Sequence, residues 1–251
     1  MDISVWGVVV LGAAVAGFVQ GLSGFAFGLV AMSFWAWVLD PMLAAALAVF
    51  GSLTGQVVAA VSVRRGFDVR RLAPFVLGGL AGIPLGLWLL PRLDMSAFKA
   101  LLGMLLVVWC PVMLLSGRLP RITAGGRVAD ALVGVAGGAM GALGGFTGTL
   151  PTLWCTLRGY ERDVQRALIQ NFNLTMLATA MLSYLATGLV TRGMLPMFAV
   201  VALAMLIPAW LGTRVYFGIS DQRFRQVVLG LLTLSGVALL SSALPRLVSG
   251  A

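Results

Sequence analysis

Apolar residues run along this chain in long stretches, without the polar face or strand alternation of a water-soluble domain. Eight such segments can be drawn: Val5–Leu39, Met42–Val63, Leu72–Leu90, Ala97–Leu115, Val128–Leu157, Val164–Leu189, Met194–Val215 and Phe224–Leu244. One helical crossing of a bilayer needs about 20 apolar residues, so the pattern predicts an all-α polytopic membrane protein. Segments one and five are anomalous: at roughly 30 to 35 residues they exceed one crossing and fall short of two. The connections, of which Ser116–Val128 and Arg158–Arg166 are the longest polar ones, are loops, and no stretch looks like a soluble domain.

Both long segments are broken by glycine. Gly17 to Gly28 reads Gly-Phe-Val-Gln-Gly-Leu-Ser-Gly-Phe-Ala-Phe-Gly, with the polar pair Gln20 and Ser23 inside it. Gly137 to Pro151 reads Gly-Gly-Ala-Met-Gly-Ala-Leu-Gly-Gly-Phe-Thr-Gly-Thr-Leu-Pro. Glycine is a poor helix former, and glycine-broken apolar segments at matching places in two halves point to a transporter binding site. The halves do match, at an offset of about 121: Leu22–Phe25 falls on Leu143–Phe146, Ala46-Leu47 on Ala167-Leu168, and Ser52-Leu53-Thr54 on Asn173-Leu174-Thr175. With small insertions, Pro74 meets Pro196, Ile83-Pro84 meets Ile207-Pro208, and Phe98-Lys99 meets Phe224-Arg225. The expectation is a duplication of four segments, residues 1–125 and 126–251, forming one transmembrane domain.

Charge decides between two topologies. If all eight segments cross once, the basic residues divide 9 to 8 between the faces. If segments one and five are re-entrant, 13 of the 17 fall on one face and 4 on the other. The positive-inside rule then places the arginine loops in the cytoplasm and both termini outside a cell (inner) membrane. Each half crosses three times, so the repeats are inverted. Non-helical backbone at membrane depth is tolerated where it is buried in protein or lines a cavity.

The composition agrees: 60% of the 251 residues are hydrophobic and 10% charged, against about 25% charged in soluble domains. The net charge of +9 sits in short loops, where it sets topology and meets lipid headgroups rather than nucleic acid. Met1–Ser4 has no positive n-region, so the start is read as mature sequence. The two cysteines, Cys110 and Cys155, stand alone, and histidine is absent. No metal site, cofactor or enzyme chemistry is expected: there are no paired carboxylates and no nucleophile–base pair. The eight acids sit at segment ends or in loops, which disfavours a cation pump; any proton coupling would ride on the substrate.

A re-entrant hairpin leaves helix N–H groups and a positive dipole end inside the bilayer, a setting that holds a small oxyanion. Gly24, Gly28, Gly144, Gly145 and Gly148 would let the backbone approach such a ligand, with Phe25 beside them and hydroxyls from Ser23, Thr147 and Thr149. Asn171 and Asn173 add polar contacts from segment six. The same glycines also serve plain helix packing. The expected function is a secondary transporter of a small anion by alternating access at the repeat interface. The rivals are an anion channel and a membrane assembly protein without transport. The expected partners are the lipid bilayer and the anion, with a homodimer allowed.

The glycine stretches Gly17–Gly28 and Gly137–Gly148, each followed by an Ala-Leu…Leu-Thr stretch (Ala46–Thr54 and Ala167–Thr175), resemble the sulfite exporter TauE/SafE family of membrane permeases. The likeness covers nearly the whole chain. Ala26 and Phe27 depart from it, standing where glycines are common. The resemblance implies export or movement of small anions, often sulfite, sulfonates or other sulfur oxyanions, and so makes the expected transporter an exporter.

Overall fold

The computed structural model describes residues 3–62, 66, 68–116, 119–215 and 221–249. Those residues form ten α-helices: α1 (Ile3–Ser23), α2 (Phe27–Trp35), α3 (Pro41–Ser62), α4 (Val69–Leu89), α5 (Met95–Leu115), α6 (Gly126–Gly144), α7 (Thr149–Leu157), α8 (Arg162–Ala186), α9 (Leu195–Val215) and α10 (Asp221–Ser249). Several acids that the sequence places at segment ends prove to be helix caps. Asp40 accepts from the Leu43 amide, Asp68 from Arg70 and Arg71, and Asp94 from Ala97. Each satisfies amides that the first helical turn leaves unpaired.

Segments one and five each resolve into two helices. α1 has 21 residues and α2 nine; α6 has 19 and α7 nine. Among the described residues six helices are long and apolar enough to cross a membrane: α1, α3, α4, α5, α9 and α10. The protein is therefore an all-α, six-span polytopic membrane protein. The sequence expectation counted segment six and not segment one. α1 reaches the length of a crossing before its glycine break, whereas the first half of α8 carries Arg162, Asp163, Gln165, Arg166, Gln170, Asn171 and Asn173.

Side-chain contacts give the helix directions. The Trp35 indole donates to the Val9 carbonyl, so α2 runs back along α1. α3 runs parallel to α1, with Gln20 beside Gly55. The start of α8 meets the end of α3, because Asn171 Nδ2 donates to the Gly66 carbonyl. α4 runs with α8 and α6: Phe75 meets Phe172, and Gly78, Gly82 and Gly86 abut Ala131, Val135 and Ala139 in turn. α9 runs with α1, Gly17 lying on Met205 and Gly212 on Phe18. Thus α1, α3 and α9 point one way, and α4, α6 and α8 the other.

The most extensive pairings are α4 with α6, α1 with α9, and α5 with α10. Glycine makes the first possible: a Cβ at Gly78, Gly82 or Gly138 would fall onto facing backbone. Close backbone approach through small residues is how membrane helices gain packing where lipid is as apolar as they are. The core holds Phe27, Trp35, Phe75, Phe172 and Tyr184, all buried, while Leu77, Leu203 and Leu234 stand on the apolar exterior. Basic loops gather at one end: Arg71 stacks on Tyr160, Arg158 Nη1 donates to the Thr123 and Ala124 carbonyls, and Arg121 lies against Gly159. At the other end Lys99 sits 4.9 Å from the Trp37 ring centre.

Candidate functional site

The two breaks meet. A Cβ at Gly28, in the first turn of α2, would stand 2.6 Å from the Gly144 carbonyl oxygen and 3.0 Å from Gly145. α3 and α8 flank the junction. Ser52 Oγ is 2.8 Å from where a Gly145 Cβ would be, and Asn173 Nδ2 is 2.9 Å from the corresponding point at Gly148. Ser52 and Asn173 both lie eleven residues beyond the first residue of their helices, Pro41 and Arg162. At 1.5 Å per residue that is about 16 Å along each helix, and α3 and α8 are antiparallel, so the two side chains stand at matching heights.

The chain turns at each break on a single left-handed glycine, Gly24 at φ 82° and Gly145 at φ 75°. Glycine alone adopts such angles without strain. The two turns then differ. At the first, Gln20 Oε1 accepts from the Phe27 amide at 3.0 Å, and Ser23 Oγ accepts from the amides of Phe25 and Ala26. The N-terminus of α2 is thus capped by the chain's own side chains. Gln56 Nε2 donates to the Gly24 carbonyl at 2.5 Å, and Gln170 Nε2 stands 3.4 Å from a Gly24 Cβ position. Three carboxamides therefore surround this turn. At the second break no side chain caps α7, whose N-cap is Gly148. Every residue from Gly141 to Thr149 is buried, whereas Ser23 is exposed and Gly24 and Phe25 are half-buried.

Most residues singled out in the sequence come together here: Ser23, Gly24, Phe25 and Gly28 at one turn, Gly144, Gly145, Thr147 and Gly148 at the other, with Asn173 beside them. Asn171 does not. Its amide donates to Gly66, and it lines a surface cavity of about 310 Å³ with Gly66, Asp68, Arg71 and Asp163. Two hydroxyls are committed elsewhere: Ser23 donates to the Val19 carbonyl and Thr149 to the Phe146 carbonyl. Gln20, Ser52, Gln56 and Gln170 also stand at the junction, although the sequence reading did not assign them to the ligand. A signal for Ser52 was present, since the repeat offset sets it opposite Asn173.

Buried polar atoms without a partner gather at the junction: Gln20 Nε2, Ser52 Oγ and Asn173 Oδ1, with Thr152 Oγ1 one turn into α7. Such atoms are rare in a folded interior. Among the described residues the one buried charged side chain is Asp130, which accepts from the Trp154 indole at 2.7 Å. No group of three or more His, Cys, Asp or Glu among them could hold a metal.

The described side chains at the junction of the two breaks are uncharged. The profile of the family described as sulfite exporter TauE/SafE matches residues 9–239, which include both breaks and all the helices around them. The chain belongs to this family. Sulfite exporter TauE/SafE proteins are membrane transporters. No curated protein and no solved structure matches the chain.

Proposed function

We propose that the protein is a secondary transporter that exports a small sulfur-containing oxyanion, sulfite or a sulfonate, through the junction of its two broken helix pairs. The observation that carries this reading is the contact of Gly28 with Gly144 and Gly145, beside buried polar side-chain atoms without partners. Gly24, Phe25, Gly28, Gly144, Gly145, Thr147 and Gly148 form the cradle, and Asn173 orients the ligand. Ser23 shapes the first turn through its backbone bonds. Asn171 stands outside the cradle, at the cavity on the basic end.

In this reading residues 1–125 and 126–251 are inverted repeats. The opposite directions of α1 and α6 support it, as does the exchange of partners: the first helix of each half packs on the third long helix of the other, α1 on α9 and α6 on α4. Each long segment is a hairpin that returns to its starting face, so α3, α4, α5, α8, α9 and α10 make the net crossings. The clustering of Arg71, Arg121 and Arg158 supports a cytoplasmic basic face and termini outside,. The open first turn beside the sealed second one fits one state of an alternating-access cycle, in which the halves rock about the junction.

The test is ligand-induced stabilisation of purified protein across sulfite, thiosulfate, sulfoacetate, taurine, sulfate and acetate. Ligand at 100 times its dissociation constant stabilises by about 2.7 kcal/mol. A selective shift for one sulfur anion that Gly28→Ala abolishes supports the site. The same shift in both proteins contradicts it.

A further inference from the structure

Resting on that reading, we propose that the second break takes its oxyanion as a monoanion that still carries an O–H, hydrogen sulfite rather than the sulfite dianion. The proton then crosses on the substrate.

Three observations point this way. The first is the absence of a counter-charge. Among the described residues Asp130 is the one buried charged side chain, and it is negative and bound to Trp154. What the site offers an anion is the N-terminus of α7, worth at most about half a positive charge and less here, since the Thr149 amide already donates to the Phe146 carbonyl and Pro151 has no N–H. The N-terminus of α2 has its first amides taken by Gln20 and Ser23. The penalty for moving an ion into a low-dielectric interior rises as the square of its charge. Compensation of that size suits a monoanion better and leaves a dianion badly under-compensated.

The second observation is the kind of polar atom left over. Asn173 is 1% exposed and its Oδ1 has no donor; Ser52 is 2% exposed and its Oγ has no partner. Both side chains stand against the second break, at Gly148 and Gly145. An amide oxygen is purely an acceptor. A fully deprotonated oxyanion would set lone pair against lone pair there. A ligand O–H completes Asn173 Oδ1, while Ser52 Oγ–H can donate to the oxygens that carry the charge.

The third is that the protein has no titrating group at the junction to carry the proton. The buried titratable side chains on the elements packed around the second break are Asp130, Cys155 and Tyr184. Asp130 accepts from Trp154, Tyr184 donates to the Ala142 carbonyl, and Cys155 lies on α7 beyond Thr152. The other charges of these helices, such as Asp40, Arg127, Arg162 and Asp163, are exposed at helix starts.

The experiment measures binding to the detergent-purified protein of three probes, sulfite, sulfate and methanesulfonate. The pH range spans the second ionisation of sulfurous acid. Sulfite affinity is expected to fall about tenfold per pH unit once the dianion predominates. Methanesulfonate, a monoanion without an O–H, is expected to bind more weakly with no pH slope, and sulfate not at all. Asn173→Leu, or Ser52→Ala should the first variant fail to fold, is expected to bring sulfite down to the level of methanesulfonate. Sulfite affinity that is flat or rises with pH, while methanesulfonate still binds, overturns the monoanion proposal and leaves the carrier standing. A methanesulfonate slope equal to that of sulfite places the titration on the protein and also overturns it. Failure of all three probes at every pH overturns the anion-carrier reading and the proposal with it.

Discussion

Gly28 lies on Gly144: the nearest atom to a Cβ at Gly28 is the Gly144 carbonyl oxygen, 2.6 Å away. Two glycine-broken segments more than a hundred residues apart thus share one junction. Gly28→Ala must push the breaks apart, because the obstacle is backbone and not a side-chain end. Overpacking of this kind destabilises by about 1–3 kcal/mol. The expected result is a lower unfolding temperature and transport at background, read by sulfite flux in proteoliposomes.

Gln20 ties the first turn to the start of α2 by accepting from the Phe27 amide. Gln20→Leu leaves that buried N–H without an acceptor, a loss of about 1–3 kcal/mol. Gln20→Glu keeps the acceptor and brings a negative charge beside Gly55 and α2. The expected outcome is near-native thermal stability at neutral pH with anion binding lost. Equal binding by the Glu variant and the wild type would remove this turn from the ligand's path.

Asn171 and Asn173 have opposite fates. Asn171→Ala removes a bond to Gly66 at the basic surface and is expected to leave anion affinity within about twofold, a few tenths of a kcal/mol. Asn173→Ala is expected to weaken it at least tenfold, about 1.4 kcal/mol. Titration calorimetry on the two variants separates them.

Gly78, Gly82 and Gly138 pack α4 against α6, away from the cradle. Gly82→Ala would drive a methyl into the Val135 carbonyl, whereas Gly230 has nothing within 4 Å of its Cβ position. Gly82→Ala is expected to lower the midpoint of thermal unfolding clearly, and Gly230→Ala to leave it within error or raise it, since alanine is the better helix former.

The sequence revealed the breaks because glycine and polar residues interrupt apolar runs twice, in register. It also matched Ser52 with Asn173, although only the asparagine was singled out. What stayed hidden was which side chains turn inward. Asn171 and Asn173 are about 200° apart on a helix, so one face cannot present both to the junction. Gln170 and Asn173, three apart, share a face, and that spacing was available. The capping of α2 by Gln20 was not legible, because it depends on how the chain folds back across seven residues. Nor was the difference between an open first turn and a sealed second one, which arises from packing across the halves. The crossing-length α1 was obscured because its last turn runs straight into the glycine break.

The central claim is that the junction of the two breaks is the path of a small sulfur oxyanion. The most direct measurement is counterflow of radiolabelled sulfite into proteoliposomes preloaded with unlabelled sulfite, comparing wild type with Asn173→Leu and Gly28→Ala at matched reconstitution. The account predicts transient accumulation of label in the wild type and none in either variant, with Gly230→Ala unimpaired. Accumulation of label in both junction variants at the wild-type rate would contradict it.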